Sequence, residues 1–320
     1  VAPGRARNEA DLEADIPAGL EEMVEARTHA GTNPQPGAGT DAGVRGKVGM
    51  VSLGCPKNLV DGEVMLGQLQ ARGYDLVADA READVIVINT CAFIDRAKQE
   101  SIDAILEMAA LKDQGKARRL VVTGCLSQRY DAELRREIPE IDASLGTGQV
   151  ADIVRAVEGE ATSLGEAPEL PTWVYDHVAP RILSTPSYMA YVKISEGCDY
   201  TCSFCIIPTL RGRHRSRPID DIVAEVHRDY VGAGADVIET NTFGANKYKL
   251  APHGLETKVH EVNLKGAQIA KKVAGDTTLV AGSVGPLGVQ IEPLGKLSFD
   301  EAKDAFKEQI SGLMEGGVDL

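Results

Sequence analysis

Apolar and polar positions change their period several times along the chain, and the changes divide it. Residues 1–46 are rich in Ala, Gly, Pro, Glu and Arg and sustain no period, which predicts a disordered extension. From Lys47 the pattern becomes regular. "KVGMVSLGC", "ADVIVINTC" and "RLVVTGC" are short, almost continuous apolar runs, as expected of strands buried on both faces. Between and after them, "NLVDGEVMLGQLQARG", "DRAKQESIDAILEMAALKDQG" and "SQRYDAELRREIP" carry helical spacing. "IDASLGTGQVADIVRAVEG" reads as a last strand and helix. Strands alternating with helices predict an α/β domain with a parallel sheet over residues 47–157.

Residues 158–187 hold several Pro and Gly and lose periodicity, so they read as a linker. "SYMAYVKIS" then predicts a strand running straight into a cysteine-rich loop. "PIDDIVAEVHRDYVGAG" predicts a helix with Pro near its start and Asp in its first turn, where the helix dipole favours acids. "ADVIET", "TTLVAGSVG" and "VDL" read as further strands, separated by the helices "GLETKVHEVNLKGAQIAKKVAG" and "SFDEAKDAFKEQISGLMEGG". This second half therefore predicts an incomplete (βα) barrel, with about half the strands a closed eight-stranded barrel needs.

Composition changes this picture only in places. A chain of 320 residues with 43% apolar content has room for about two cored domains. A net charge of −14 argues against nucleic-acid binding by the chain as a whole. Between Arg181 and Arg217, however, six Lys/Arg face two acids, and four of the six form "RGRHRSR". There is no eighteen-residue apolar run and no charged-then-apolar leader, so a cytoplasmic protein with no membrane partner is expected. In that compartment cysteines serve as metal ligands or catalysts more often than as disulfides.

Six cysteines occur, in two sets of three. Cys55, Cys91 and Cys125, spaced by 36 and 34 residues, each fall just past the end of a predicted strand. In a parallel sheet those ends line one edge, where ligand crevices form. The alternative is three small buried residues without a role; their common address favours a shared site. Cys198, Cys202 and Cys205 lie on one loop in the spacing C-x₃-C-x₂-C. A four-iron cluster takes four ligands, so three thiolates leave one iron open. Zinc is disfavoured, because a structural zinc site wants four ligands and the nearest candidate, His214, lies nine residues beyond Cys205 among arginines. Lys57, Asn58 and Asp61 stand at a helix start, where capping and a cluster-edge role both suit them. Arg211, Arg213, Arg215 and Arg217 suit a solvated basic stretch or a contact with ribosomal RNA or a substrate protein.

The loop's spacing, with Phe204 before its last cysteine, resembles the radical S-adenosylmethionine superfamily. "VSLGCPKNLVDGE", "VINTCAFIDRAKQESIDAIL", "VVTGCLSQRY" and "YVKISEGCDYTCSFCIIPTLRGRHRSRP" together resemble the methylthiotransferase family over residues 47–228, most closely its ribosomal-protein branch. The resemblance implies one 4Fe-4S cluster on Cys198, Cys202 and Cys205, with S-adenosylmethionine on its open iron and Phe204 and Arg211 beside the cofactor. It implies an auxiliary 4Fe-4S cluster on Cys55, Cys91 and Cys125 that handles the sulfur. The implied reaction inserts a methylthio group into an aspartate of a small-subunit ribosomal protein, through a 5′-deoxyadenosyl radical. A flavodoxin- or ferredoxin-like electron donor and contact with ribosomal RNA are implied partners.

From about residue 229 the resemblance changes. "YVGAGADVIETNTFGANKYKLAPHGLETKVHEVNLKGAQIAKKVAGDTTLVAGSVGPLG" and "FKEQISGLMEGGVDL" resemble the homocysteine S-methyltransferase barrel, with Glu239, Asn241 and Thr242 at a strand end near that family's substrate. The last 115 residues hold no cysteine, so the zinc thiolates of that chemistry are missing from this segment. The fold-class expectation is thus α/β: a parallel-sheet methylthiotransferase domain, then an incomplete (βα) barrel built from radical-S-adenosylmethionine-like (188–228) and homocysteine-methyltransferase-like (229–320) segments. A methionine-synthase-like methyltransferase and a cluster-binding chain without turnover are the alternative functions.

Overall fold

The computed structural model describes residues 45–114, 117–160, 170–186 and 189–320. The expected N-terminal extension lies outside the described residues, apart from Arg45 and Gly46. The chain forms two compact units. The first holds the residues up to Val174 together with Ala179–Arg215; the second holds Tyr175–Val178 and Ser216–Leu320.

In the first unit, strands β1 (Lys47–Ser52), β2 (Asp75–Val77), β3 (Val85–Thr90), β4 (Arg119–Gly124) and β5 (Ala143–Leu145) form a parallel sheet in the order β2-β1-β3-β4-β5. Helices α1 (Pro56–Ala71), α2 (Asp95–Asp113), α3 (Cys125–Glu137) and α4 (Ile153–Glu158) connect and cover it. β3 is buried at every residue, which is why its sequence reads as an apolar run rather than an alternation. One face carries Ile86, Ile88, Leu120 and Val122 against Ile105 and Met108 of α2 and Leu126 and Leu134 of α3. Strand alternation turns Val87 and Val121 to the other face, and α1 packs against β1 and α4. The chain therefore leaves β1 toward β2 on one side and leaves β3 toward β4 on the other. This is a doubly wound sheet whose order reverses between β1 and β3, the point where open parallel sheets place their ligands.

β2 was not expected. Three residues give no periodicity to read, and its place at the sheet edge follows only from pairing with β1. The expected linker is in part a packed arm. A Cβ on Gly67 of α1 would lie 2.3 Å from the Pro180 carbonyl oxygen, so the helix can approach this arm only at glycine. Of "SYMAYVKIS", residues 187–188 lie outside the described residues, and the expected strand does not form over 189–194. Residues 189–194 are irregular, and only Ser195–Glu196 is extended and paired. The sequence alternates correctly there, but Lys193 is drawn into buried ion pairs rather than onto a sheet. The short helix α5 (Ile207–Arg211) closes this part.

The second unit contains α6 (Ile219–Gly232), β6 (Val237–Glu239), α7 (Val259–Ala274), β7 (Leu279–Ala281) and α8 (Phe299–Glu315). β6 and β7 pair in parallel, and Ile238 and Val280 pack on Ala270 and Ala274 of α7. The strand expected at "VDL" is not a regular one, although the Asp319 and Leu320 amides donate to the Val280 carbonyl at 2.8 and 3.2 Å. Helix α8 begins with a capping box between Ser298 and Glu301. Among the described residues the second unit's sheet has two strands.

Gly124 joins β4 to α3 at φ +97°, ψ −153°, a region essentially restricted to glycine, and a Cβ there would lie 2.5 Å from the Thr90 carbonyl oxygen. Gly124→Ala is expected to lower the unfolding free energy by roughly 1–3 kcal/mol or more, measured by urea denaturation. An unchanged midpoint would show that the turn relaxes freely.

Candidate functional site

Three of the six cysteines share one edge of the first unit's sheet. Cys55 is the residue before α1, in extended backbone; Cys91 follows Thr90 at the end of β3; Cys125 opens α3 directly after β4. The strands they follow are neighbours, and the first two cysteines flank the point where the strand order reverses. Cys91 and Cys125 are buried and Cys55 is exposed.

Polar side chains stitch the three strand ends together. The Asn58 Nδ2 donates to the Leu53 carbonyl at 2.7 Å and the Thr90 carbonyl at 3.1 Å. Thr90 Oγ1 donates to the Thr123 carbonyl at 2.6 Å and accepts from the Leu126 amide at 3.3 Å. The Ser101 hydroxyl accepts from the Cys91 amide and donates to its carbonyl, both at 3.0 Å. Gly54, at φ +94°, passes so near Cys91 that a Cβ would lie 2.8 Å from the Cys91 Cβ. Only glycine lets this loop run beside that thiol.

A buried ion network ties the second set of cysteines to this edge. Arg211, 2% exposed, donates from Nη1 to Asp61 at 2.6 Å and to Glu196 at 3.1 Å. Its Nη2 donates to Asn58 Oδ1 at 3.1 Å and lies 3.7 Å from Cys125 Sγ. Lys193 pairs with Asp61 and, at 2.7 Å, with Glu196, and Lys57 reaches the Ser195 carbonyl at 3.1 Å. Glu196 stands two residues before Cys198, whose amide donates to the Gly212 carbonyl at 3.1 Å. A second buried pair, Arg181 with Glu63 at 2.6 Å, holds the packed arm to α1. Lys57, Asn58 and Asp61 thus neither cap α1 nor stand idle. They are the α1 half of a network whose other half lies more than 130 residues away in sequence.

The electrostatics follow from burial and pairing. Burial alone would raise the Glu196 carboxyl, but Lys193 and Arg211 outweigh it and hold its pKa down at about 2. Burial opposes the charge on Arg211, yet Asp61, Cys125 and Glu196 raise its pKa well above the ordinary value. Burial pushes the Cys125 thiol up, Arg211 pulls it down less strongly, and the nearby Cys91 and Cys55 add to the rise.

The second set lies on the loop after Glu196. Cys202 is exposed, Cys198 and Cys205 are partly so, and the Cys205 amide closes a turn on the Cys202 carbonyl at 3.1 Å. Among the described residues, no three His, Cys, Asp or Glu side chains gather closely enough to hold one metal ion. A cube of iron and sulfide places its own atoms between its ligands, so three thiols at adjacent strand ends, or on one short loop, suit it better than a single ion. Phe204 is 88% exposed, a loop-tip aromatic rather than core. Arg211, expected beside a bound cofactor, is instead enclosed in the ion network. The basic stretch is not a solvated face. Arg215 donates to the Arg211 and Trp173 carbonyls; in the second unit Arg217 is buried against Glu225 and Asp221 and lies over the Tyr175 ring at 4.3 Å. Of the four arginines Arg213 alone is exposed. Also in the second unit, Glu239 is exposed and accepts from the Ser283 hydroxyl at 3.2 Å, and Asn241 is exposed. Thr242 is buried between Thr240 and the Ser283 carbonyl, so it packs.

Comparison with known proteins divides the chain differently from the two units. Residues 47–146 match "Uncharacterized protein family UPF0004" and residues 179–320 match "Homocysteine S-methyltransferase". A Myxococcus xanthus protein named ribosomal protein uS12 methylthiotransferase RimO is 61% identical over 176 residues, 55% of this chain and 37% of the relative. The protein of the same name from Geobacter sulfurreducens is 48% identical over 223 residues, 68% of this chain and 49% of the relative. The front of the chain is methylthiotransferase-like. Both alignments are longer than the 47–146 stretch, and the chain spans less than half the length of these curated relatives. The homocysteine S-methyltransferase match reaches back across the Cys198 loop, whose cysteines the sequence motifs assign to the methylthiotransferase-like part. No helix among the described residues is long and apolar enough to cross a membrane.

Because the Glu196 carboxyl is held near 2 in the fold, against about 4.3 when free, its stabilising effect is complete above the ordinary carboxylate range. It is lost as pH falls from about 4.5 toward 2. The loss is on the order of 3 kcal/mol. Acid unfolding followed by circular dichroism is expected to show this, with the slope over that window shallower in Glu196→Gln. Equal slopes would mean that the carboxylate is not held in this network.

Proposed function

We propose that the chain is a radical S-adenosylmethionine methylthiotransferase acting on an aspartate of a small-subunit ribosomal protein. The observation that supports this best is the buried Arg211–Glu196–Asp61 network, which brings both cysteine sets into one compact unit. Cys55, Cys91 and Cys125 would hold the sulfur-handling four-iron cluster. Cys198, Cys202 and Cys205 would hold the other, with S-adenosylmethionine at its open iron. When bound, these groups supply the sulfur and the one-electron chemistry.

The protein's residues do the rest. Asn58 and Thr90 hold three strand ends in register. Lys193, Lys57 and Arg211 balance Asp61 and Glu196 with one positive charge to spare, which suits a neighbourhood that must accept thiolates. Cys202, Phe204 and Tyr200 leave the loop open on its outer side, where cofactor, ribosomal-protein acceptor and a flavodoxin- or ferredoxin-like donor would approach. The exposed Arg213 is the remaining residue of the basic stretch for an RNA phosphate. The named relatives act on uS12 by their names, and that acceptor is the one proposed here. The reading places the reaction in the cytoplasm.

The match of residues 179–320 supports homocysteine methyl transfer as a second reading for the second unit. Glu239 and Asn241 are its exposed candidates, but residues 206–320 supply no thiolate for zinc.

The test is anaerobic reconstitution with iron and sulfide, reduction, and incubation with S-adenosylmethionine and uS12. Release of 5′-deoxyadenosine and a mass gain of one methylthio group on uS12 are expected, with both lost in Cys205→Ala. Loaded clusters without nucleoside release would contradict the proposal, and methionine formed from homocysteine would favour the second reading.

A further inference from the structure

We propose that Arg211 is a positioning residue for the cluster at the strand ends, donating an N–H to the Cys125 sulfur and thereby raising that cluster's reduction potential. The inference rests on the reading that Cys55, Cys91 and Cys125 hold a cluster, and adds the residue that tunes it.

The division of labour within the guanidinium carries the argument. Nη1 faces the carboxylates, Asp61 at 2.6 Å and Glu196 at 3.1 Å. A residue serving only as a buried counter-ion would need nothing more. Nη2 points the other way, to Asn58 Oδ1 at 3.1 Å and Cys125 Sγ at 3.7 Å. The guanidinium has a hydrogen for each of these partners. Asn58 in turn anchors Leu53, two residues before Cys55, and Thr90, the residue before Cys91. One amide and one guanidinium therefore connect the chain at all three cysteines. A lysine could hold the charge but could not hold both directions in a fixed plane.

Hydrogen bonds to ligand sulfurs, and nearby positive charge, favour the reduced and more negative state of an iron–sulfur cluster, and so raise its potential. The same network begins at Glu196, two residues before Cys198.

The test uses the full chain carrying Cys198→Ala, Cys202→Ala and Cys205→Ala, so that a single cluster is loaded. Iron content and the midpoint potential are measured by redox titration with paramagnetic resonance, with Arg211 intact and in Arg211→Lys and Arg211→Gln. The expected result is a more negative midpoint in both variants, larger in Arg211→Gln, with an altered resonance signal. Loaded clusters with unmoved midpoint and signal would overturn the inference while leaving the cluster reading intact. A background protein that takes up no iron would overturn both. Where the Arg211 variants do not load, Asp61→Asn decides, because it weakens the ion pairs and keeps the Nη2 contact. Normal loading with a midpoint that is unchanged or less negative in Asp61→Asn supports the inference, because the Nη2 contact stays and a negative charge is removed; failure like that of the Arg211 variants overturns it.

Discussion

The first unit depends on a guanidinium buried between two carboxylates and a thiol. Breaking a buried ion pair by removing one partner costs about 3–5 kcal/mol, whereas making it gains little over apolar packing. Such a network is therefore less a source of stability than a constraint on which arrangements are tolerable. Once Asp61 and Glu63 are buried on α1, the segment from Arg181 to Arg211 has to lie where Arg181, Lys193 and Arg211 can meet them. Among its described residues the segment's regular structure is the two-residue strand Ser195–Glu196 and the short helix α5. Charge pairing, together with the short strand at Ser195–Glu196 and the Cys198–Gly212 hydrogen bond, sets the place of the Cys198 loop.

The strand-end cysteines owe their place to topology. Reversal of strand order between β1 and β3 sends the two following helices to opposite faces and opens a crevice between their first turns. Cys55 and Cys91 border it, and Cys125 follows on the next strand. Backbone constraints then refine the site. Gly54 and Gly124 take conformations that other residues resist, each beside a neighbour too close for a Cβ. Both glycines adjoin a cysteine, so part of the strain tolerated in this fold is concentrated where chemistry is expected.

The sequence made this sheet legible because its central strands are short and mostly apolar, β3 buried throughout and β4 nearly so, and because β1, β3 and β4 each run to a cysteine. The longer helices were legible from their period, to within a few residues at either end; the five-residue α5 was not. What was not legible is instructive. β2 has three residues and is defined by its neighbour. "SYMAYVKIS" alternates like a strand but is claimed by ion pairing at Lys193. "RGRHRSR" suits a solvated basic stretch or a contact with RNA or a substrate protein, each with the arginines outward, yet Arg211 and Arg217 are enclosed by acids. The reversal has one cause. A charge run announces the charges, not their partners, and the partners of Arg211 lie 150 and 15 residues away. Of the two readings that Asn58 and Asp61 offered, capping fails because it is local, and their partners in the ion network are not.

The account's central claim is that each cysteine set binds its own cluster within one folded unit. Iron counted after anaerobic reconstitution tests it most directly, in the intact chain and in two variants that each replace one set of three cysteines by alanine. The account predicts about eight irons in the intact chain and about four in each variant, with the thermal unfolding of the variants close to that of the intact protein. Four irons in the intact chain and none in one of the variants would contradict it, leaving one set of cysteines as no more than part of the fold.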